Sequence, residues 1–155
     1  GGQVASVQSS VHSTARVLVL PTRDRKDMAA ARMVSILLER LGLDVHGPNS
    51  VPLAGELSKL ASAAETSLAC VVALPPGGIA AARLFCLRLR AQGVQAIVYA
   101  AAALEAEEVR AQLRASGADQ LAESMATLVS IVASIAPGSA SPSTAALPAD
   151  TRRSA

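Results

Sequence analysis

Between residues 15 and 136, short unbroken apolar runs alternate with longer segments in which apolar residues recur every three or four positions. The first pattern suits strands buried on both faces, the second amphipathic helices with one face on a core. The run ARVLVL at 15–20 predicts a buried strand ending at Pro21. Ala30, Met33, Val34, Leu37, Leu38 and Leu41 then keep helical spacing up to a stop at Gly42, with Thr22 or Asp24 able to cap the helix. LDVHG at 43–47 predicts a short second strand, and PLAGELSKLASAA a helix with Leu53, Leu57, Leu60 and Ala64 on its inner face.

SLACVVAL at 67–74 is the most uniformly apolar run, which suits the central strand of a sheet, and PPGG turns the chain after it. A helix over 79–92 would bury Ala82, Phe85, Cys86 and Leu89 and send Arg83, Arg88 and Arg90 to water. VQAIVYA predicts a fourth strand. EAEEVRAQLRASG predicts a helix with acids in its first turn and arginines later, as the macrodipole prefers. GADQLAES supplies a short fifth strand, and Met125, Leu128, Val129, Val132 and Ile135 form a last helical stripe.

Five strand-helix repeats require parallel pairing and right-handed crossovers. The expected fold is therefore α/β: a flavodoxin-like three-layer sandwich on a five-stranded parallel sheet of order 2-1-3-4-5. Residues 1–14 are rich in Ser and Gln and read as a linker arm whose opening Gly-Gly resembles a cleavage remnant. Residues 137–155 are rich in Pro, Ser and Ala and read as a disordered tail. Residues 15–136 then form one domain.

Composition narrows the function. Hydrophobic residues make up 51% of the 155 but aromatic residues only 1%, so the core must be built from Ala, Val, Leu and Ile. The net charge of +2 is spread along the chain without a basic cluster, and Phe85 and Tyr99 are the only aromatics. Nucleic acid is therefore not an expected partner. Cys70 and Cys86 sit in apolar segments and suit small core residues, not a disulfide or zinc site. Prolines 137, 142 and 148 interrupt the longest uncharged stretch, which cannot cross a bilayer as a helix, and no secretion signal is evident. A cytoplasmic location is the expectation.

In this strand order the loops after the first and third strands diverge around one crevice, the position where such sheets hold ligands. The first loop, PTRDRKD, offers Thr22, Arg23, Asp24, Arg25 and Lys26; the second offers Gly77 and Gly78. Cations beside free helix N–H groups, with glycines allowing close backbone approach, suit a small anionic ligand. Catalysis and metal binding are not expected. His12 and His46 have no partner set at catalytic or ligand spacing, and Asp24 and Asp27 lack a nucleophile. There is no G-x-G-x-x-G and no Gly-Lys-Ser/Thr string. A phosphoacceptor receiver domain would need an Asp ending the third strand and a Lys ending the fifth. Here the third ends Ala73-Leu74-Pro75, and no Lys follows Lys59.

Two family resemblances extend this reading. Asp24-Arg-Lys26-Asp-Met-Ala29 resembles the D-x-H-x-x-G signature of cobalamin-binding domains, with Lys26 where that family has its cobalt-ligating His and Ala29 where it has Gly. ALPP and YAAA stand where that family has a Ser-x-Leu pattern and a Gly-Gly pair. The resemblance implies a relative that has lost its cofactor, or alternatively a cobalamin- or tetrapyrrole-binding sensor with a drifted signature.

Over roughly residues 15–136, ARVLVLPTRDRKDMAAARMVSILLERLGLDV, SLACVVALPP, LFCLRLRAQG and RASGADQLAES resemble the soluble C-terminal domain of some autoinducer-2 exporter (PerM-like) transporters. That resemblance implies a non-enzymatic regulatory or interaction domain without a cofactor, whose partner is the membrane-spanning part of the parent transporter. The weakly charged outer surfaces of the first and last helices further suggest a homodimer.

Overall fold

Each apolar run becomes a strand of a single parallel sheet. The computed structural model describes residues 15–135, so the readings made for the arm at 1–14 and the tail at 137–155, His12 included, lie outside the described residues. The order of elements is β1 (Arg16–Pro21), α1 (Arg25–Arg40), β2 (Asp44–His46), α2 (Leu57–Ala64), β3 (Leu68–Val72), α3 (Ile79–Ala91), β4 (Gln95–Tyr99), α4 (Glu107–Ala115), β5 (Ala118–Ala122) and α5 (Met125–Ile135). Short 3-10 segments, Ala54–Glu56 and Ala101–Glu105, precede α2 and α4. The strands lie in the expected order β2-β1-β3-β4-β5, all pairs parallel, with Leu18 opposite Ala69 and Cys70 opposite Ile97.

The period of two along each strand divides the core in half. Val17, Val19, Cys70, Val72 and Ile97 face one way, under Val34 and Leu38 of α1 and Leu128 and Val132 of α5. Leu18, Leu20, Ala69, Val71 and Val98 face the other, under α2, α3 and α4, whose Leu57, Ala82, Phe85, Leu89 and Leu113 close that layer. Helices on both faces explain why the central strands need apolar residues at every position. Small residues such as Ala82 and Cys86 let α3 approach closely where aromatics would not fit.

Two inner-face assignments differ from the pattern. Leu53 is 72% exposed whereas Leu57 is fully buried, because the segment is divided. The 3-10 turn takes Ala54–Glu56, the Leu53 N–H donates to Glu56 Oε1 at 2.9 Å, and Leu53 is left before the helical register begins. Met33 is 55% exposed, since the buried line on α1 runs through Ala30, Ala31, Val34 and Leu38. At the β4–β5 pair the register shifts between Ala96 and Ile97, and Asp119 Oδ2 accepts the Ala96 N–H at 2.8 Å, restoring a ladder bond that the irregularity would lose. Among the described residues no helix is long and apolar enough to cross a membrane.

Candidate functional site

β1 and β3 end side by side, and their two loops are bonded to each other. The Thr22 N–H donates to Val72 O at 3.1 Å, extending the ladder one residue past β1. Asp27, in the first turn of α1 and 1% exposed, lies between the loops. Its Oδ2 accepts the Arg23 N–H and stands 2.9 Å from Thr22 Oγ1, and its Oδ1 accepts the Leu74 N–H at 2.9 Å. Thr22 Oγ1 is also 3.0 Å from Val72 O. With one hydroxyl proton to give, the charged oxygen is the stronger acceptor. One buried carboxylate thus joins the β1–α1 turn to the end of β3.

Two cations reinforce this junction. Arg23 Nη1 donates to Pro76 O at 2.6 Å and Lys26 Nζ to Pro75 O at 3.1 Å, across a cis Pro75-Pro76 bond. Gly77 and Gly78 follow with φ of +87° and +85°, a region costly for any residue with a Cβ. At Gly77 a Cβ would also stand 2.6 Å from Arg23 Nη1, so the close approach this glycine permits is used by the arginine. Gly78 caps α3 and lies near Thr22 Oγ1 and Ala73.

Asp24 is the N-cap of α1, with extended backbone, its Oδ1 accepting the Lys26 and Asp27 N–H groups at 3.0 and 3.2 Å. The Asp27 N–H is the largest influence on the Asp24 carboxyl; desolvation opposes it, and the Lys26 N–H with the charges of Lys26 and Arg23 adds to it, so the net effect holds the carboxyl below the usual value of 3.8.

The structure therefore brings Thr22, Arg23, Asp24, Lys26, Gly77 and Gly78 to one junction. Arg25 is not bonded into it and faces the flank of α1. The spacing of Asp24 and Asp27 points to no role for Asp27; its part as the link to Leu74 depends on a contact 47 residues away. No carboxylate ends β3 and no lysine ends β5, where a phosphoacceptor centre needs them. Among the described residues no three His, Cys, Asp or Glu side chains are grouped to hold a metal ion. His46 Nε2 is 3.1 Å from Asp44 Oδ2, an ion pair when the imidazole is protonated, although Nε2 lacks the alignment of a hydrogen bond. Burial pushes the Cys70 and Cys86 thiols up to about 12, Asp119 adding to the effect at Cys86, which leaves both unsuited to nucleophilic chemistry.

The same junction bears on cobalt ligation. The position of the cobalt-ligating histidine holds Lys26, engaged with Pro75 O, and Ala73 and Ala100 are fully buried at the ends of β3 and β4. These residues offer no imidazole ligand and fill the places where that family has smaller or polar residues.

No protein-family model and no curated protein matches the chain. Solved structures do match. A cobalamin-binding protein from Desulfitobacterium hafniense DCB-2 is 14% identical with a TM-score of 0.61, over 84% of this chain and 62% of that one. The chain thus spans less than two thirds of that relative's length. The receiver domain of the Francisella response regulator 1452 is 21% identical with a TM-score of 0.56, over 77% of this chain and 93% of that one. The receiver domain of the putative response regulator NarL from Mycobacterium tuberculosis is 16% identical with a TM-score of 0.57, over 77% and 94%. At these identities the likeness is one of fold: a flavodoxin-like α/β domain shared by cobalamin-binding and receiver proteins.

Proposed function

We propose that the chain is a non-enzymatic regulatory or interaction domain that responds to a small anionic ligand. One observation supports this above the others. At the switch point, where relatives of this fold do their chemistry, Asp27 is buried with its oxygens committed to both loops, while Arg23 and Lys26 hold the carbonyls of Pro76 and Pro75. Groups bonded in this way fix loop geometry and are not free to act as phosphoacceptor, acid or base. Cations in excess of what the junction uses make an anion the fitting effector.

The test combines two measurements on the same protein. In a melting series with nucleotides, phosphosugars, carboxylates and tetrapyrroles, an anion at about 100 Kd should add roughly 2.7 kcal/mol of stability. Incubation with acetyl phosphate and Mg2+ should leave the mass of the chain unchanged. A phosphorylated chain, or steady turnover of any of these compounds, would overturn the proposal.

The finer part of the proposal is attachment to a membrane transporter on its cytoplasmic side. It is supported by the sequence resemblance alone, since no family model matches. A natural chain lacking any membrane-spanning segment would refute it. The cobalamin-sensor reading draws on the likeness to the Desulfitobacterium protein, and Lys26 weighs against it. A spectral titration with cobalamin should show no axial-ligand shift, and a tight complex would favour the sensor.

A further inference from the structure

Beside the switch point, the outer flank of α1 and the irregular loop after β2 enclose a second cleft, of about 720 Å³, bordered by Arg25, Met28, Ala29, Arg32, Met33 and Val51. Its volume falls within the range of roughly 300–1,000 Å³ typical of small-molecule sites. The wall is largely apolar: Met28, Ala29 and Met33 come from one face of α1, and Val51 from the opposing loop, with Asn49 and Ser50 as neutral polar groups on the rim.

Its charge is one-sided. Arg25 and Arg32 lie seven residues apart, about 10 Å along the helix, on the face that carries Met28 and Ala29. Among the described residues neither guanidinium has a hydrogen-bond or ion-pair partner. That separates Arg25 from Arg23 and Lys26, which are bonded to Pro76 and Pro75. The one carboxylate on the cleft, Asp24, is committed through Oδ1 to the helix cap. Arg25 also stands at the first residue of α1, where the macrodipole disfavours a cation.

From an apolar wall flanked by two unpartnered guanidinium forks, we propose that this cleft binds an amphipathic organic anion, a carboxylate on an aliphatic body. The arginines would take the carboxylate, and Met28, Ala29, Met33 and Val51 the hydrocarbon. Methionines suit such a surface because their flexible thioethers adapt to a variable chain. The inference rests on the effector reading above and places that effector on the flank of α1, outside the crevice between the loops.

Titration calorimetry with octanoate, octanol and acetate tests it. Octanoate should bind, whereas octanol, without the charge, and acetate, without the chain, should bind at least tenfold more weakly. Arg25→Ala/Arg32→Ala should weaken octanoate by roughly tenfold or more, from the loss of charged hydrogen bonds, with an unchanged melting temperature for the free protein. Val51→Asp, which sets a carboxylate against the ligand, should abolish binding. Octanoate affinity unaltered by both variants would overturn the placement while leaving the effector reading intact. Absence of octanoate binding, with stabilisation by a nucleotide or phosphosugar instead, would overturn the amphipathic class. Among these binding outcomes, the effector reading itself fails if no anion stabilises the fold.

Discussion

Asp27 has more consequence for the fold than any other charged residue at the switch point. Asp27→Ala would leave the Arg23 and Leu74 N–H groups without their acceptor, in and around a buried site, and turn the Thr22 hydroxyl to its remaining acceptor, Val72 O. At roughly 1–3 kcal/mol for each donor stranded away from water, we expect a loss of about 2 kcal/mol or more, measured by urea unfolding. Asp24 differs, because its contribution depends on pH. Its folded pKa lies below 3.8, so the ionised cap stabilises the fold fully above that unfolded value, and the contribution disappears as pH falls through the lower, folded value. The melting temperatures of the wild type and Asp24→Ala should therefore differ at pH 7 and converge in strong acid. Cys70 and Cys86, with thiols near 12, should resist iodoacetamide at pH 8 in the native protein and both react in denaturant. Alkylation of the native chain at either position would show that the core opens.

At the scale of elements, the spacing of apolar residues located every strand and α-helix within a few positions. What it misjudged was the start of α2, and the physical reason is capping. Spacing places Leu53 one turn from Leu57, but Glu56 accepting the Leu53 N–H starts a 3-10 turn and leaves Leu53 outside the helix. Leu53→Ser should thus leave stability within about 0.5 kcal/mol, whereas Leu57→Ala should cost roughly 2–5 kcal/mol through the cavity it leaves. The loop before α3 makes a similar demand on Gly77. Gly77→Ala would combine a positive φ with a Cβ against Arg23 Nη1, so it should destabilise the fold by about 1 kcal/mol or more. Pairing it with Arg23→Ala removes the clash and should recover part of that loss. Equal destabilisation in both backgrounds would mean that backbone strain alone is responsible.

At the scale of the molecule, the large apolar side chains left uncovered among the described residues are Met33 and Ile36 on α1 and Leu84 and Leu87 on α3, on opposite faces of the sheet, together with Leu53. We expect light scattering at high concentration to give twice the 15.7 kDa chain mass, and a monomer would remove the case for a homodimer. The apolar pattern already carried the α/β class, the number of strands and their order, because hydrophobic period is a local property and crossover handedness leaves few topologies. It also brought Thr22–Lys26 and Gly77–Gly78 to one end of the sheet, since strand order dictates which loops are neighbours. Only the tertiary structure decided what those residues do. Whether Arg23 and Lys26 are free or bonded depends on where the Pro75 and Pro76 carbonyls point, some 50 residues away, and whether Asp27 is a surface charge or a buried link depends on the Leu74 N–H. Arg25 looks like its neighbours in the string PTRDRKD, yet one helical step turns it from the junction to the cleft beside Met28 and Val51. Local pattern sets which face an element buries, while the pairing of polar groups across loops is a long-range contact that no periodicity encodes.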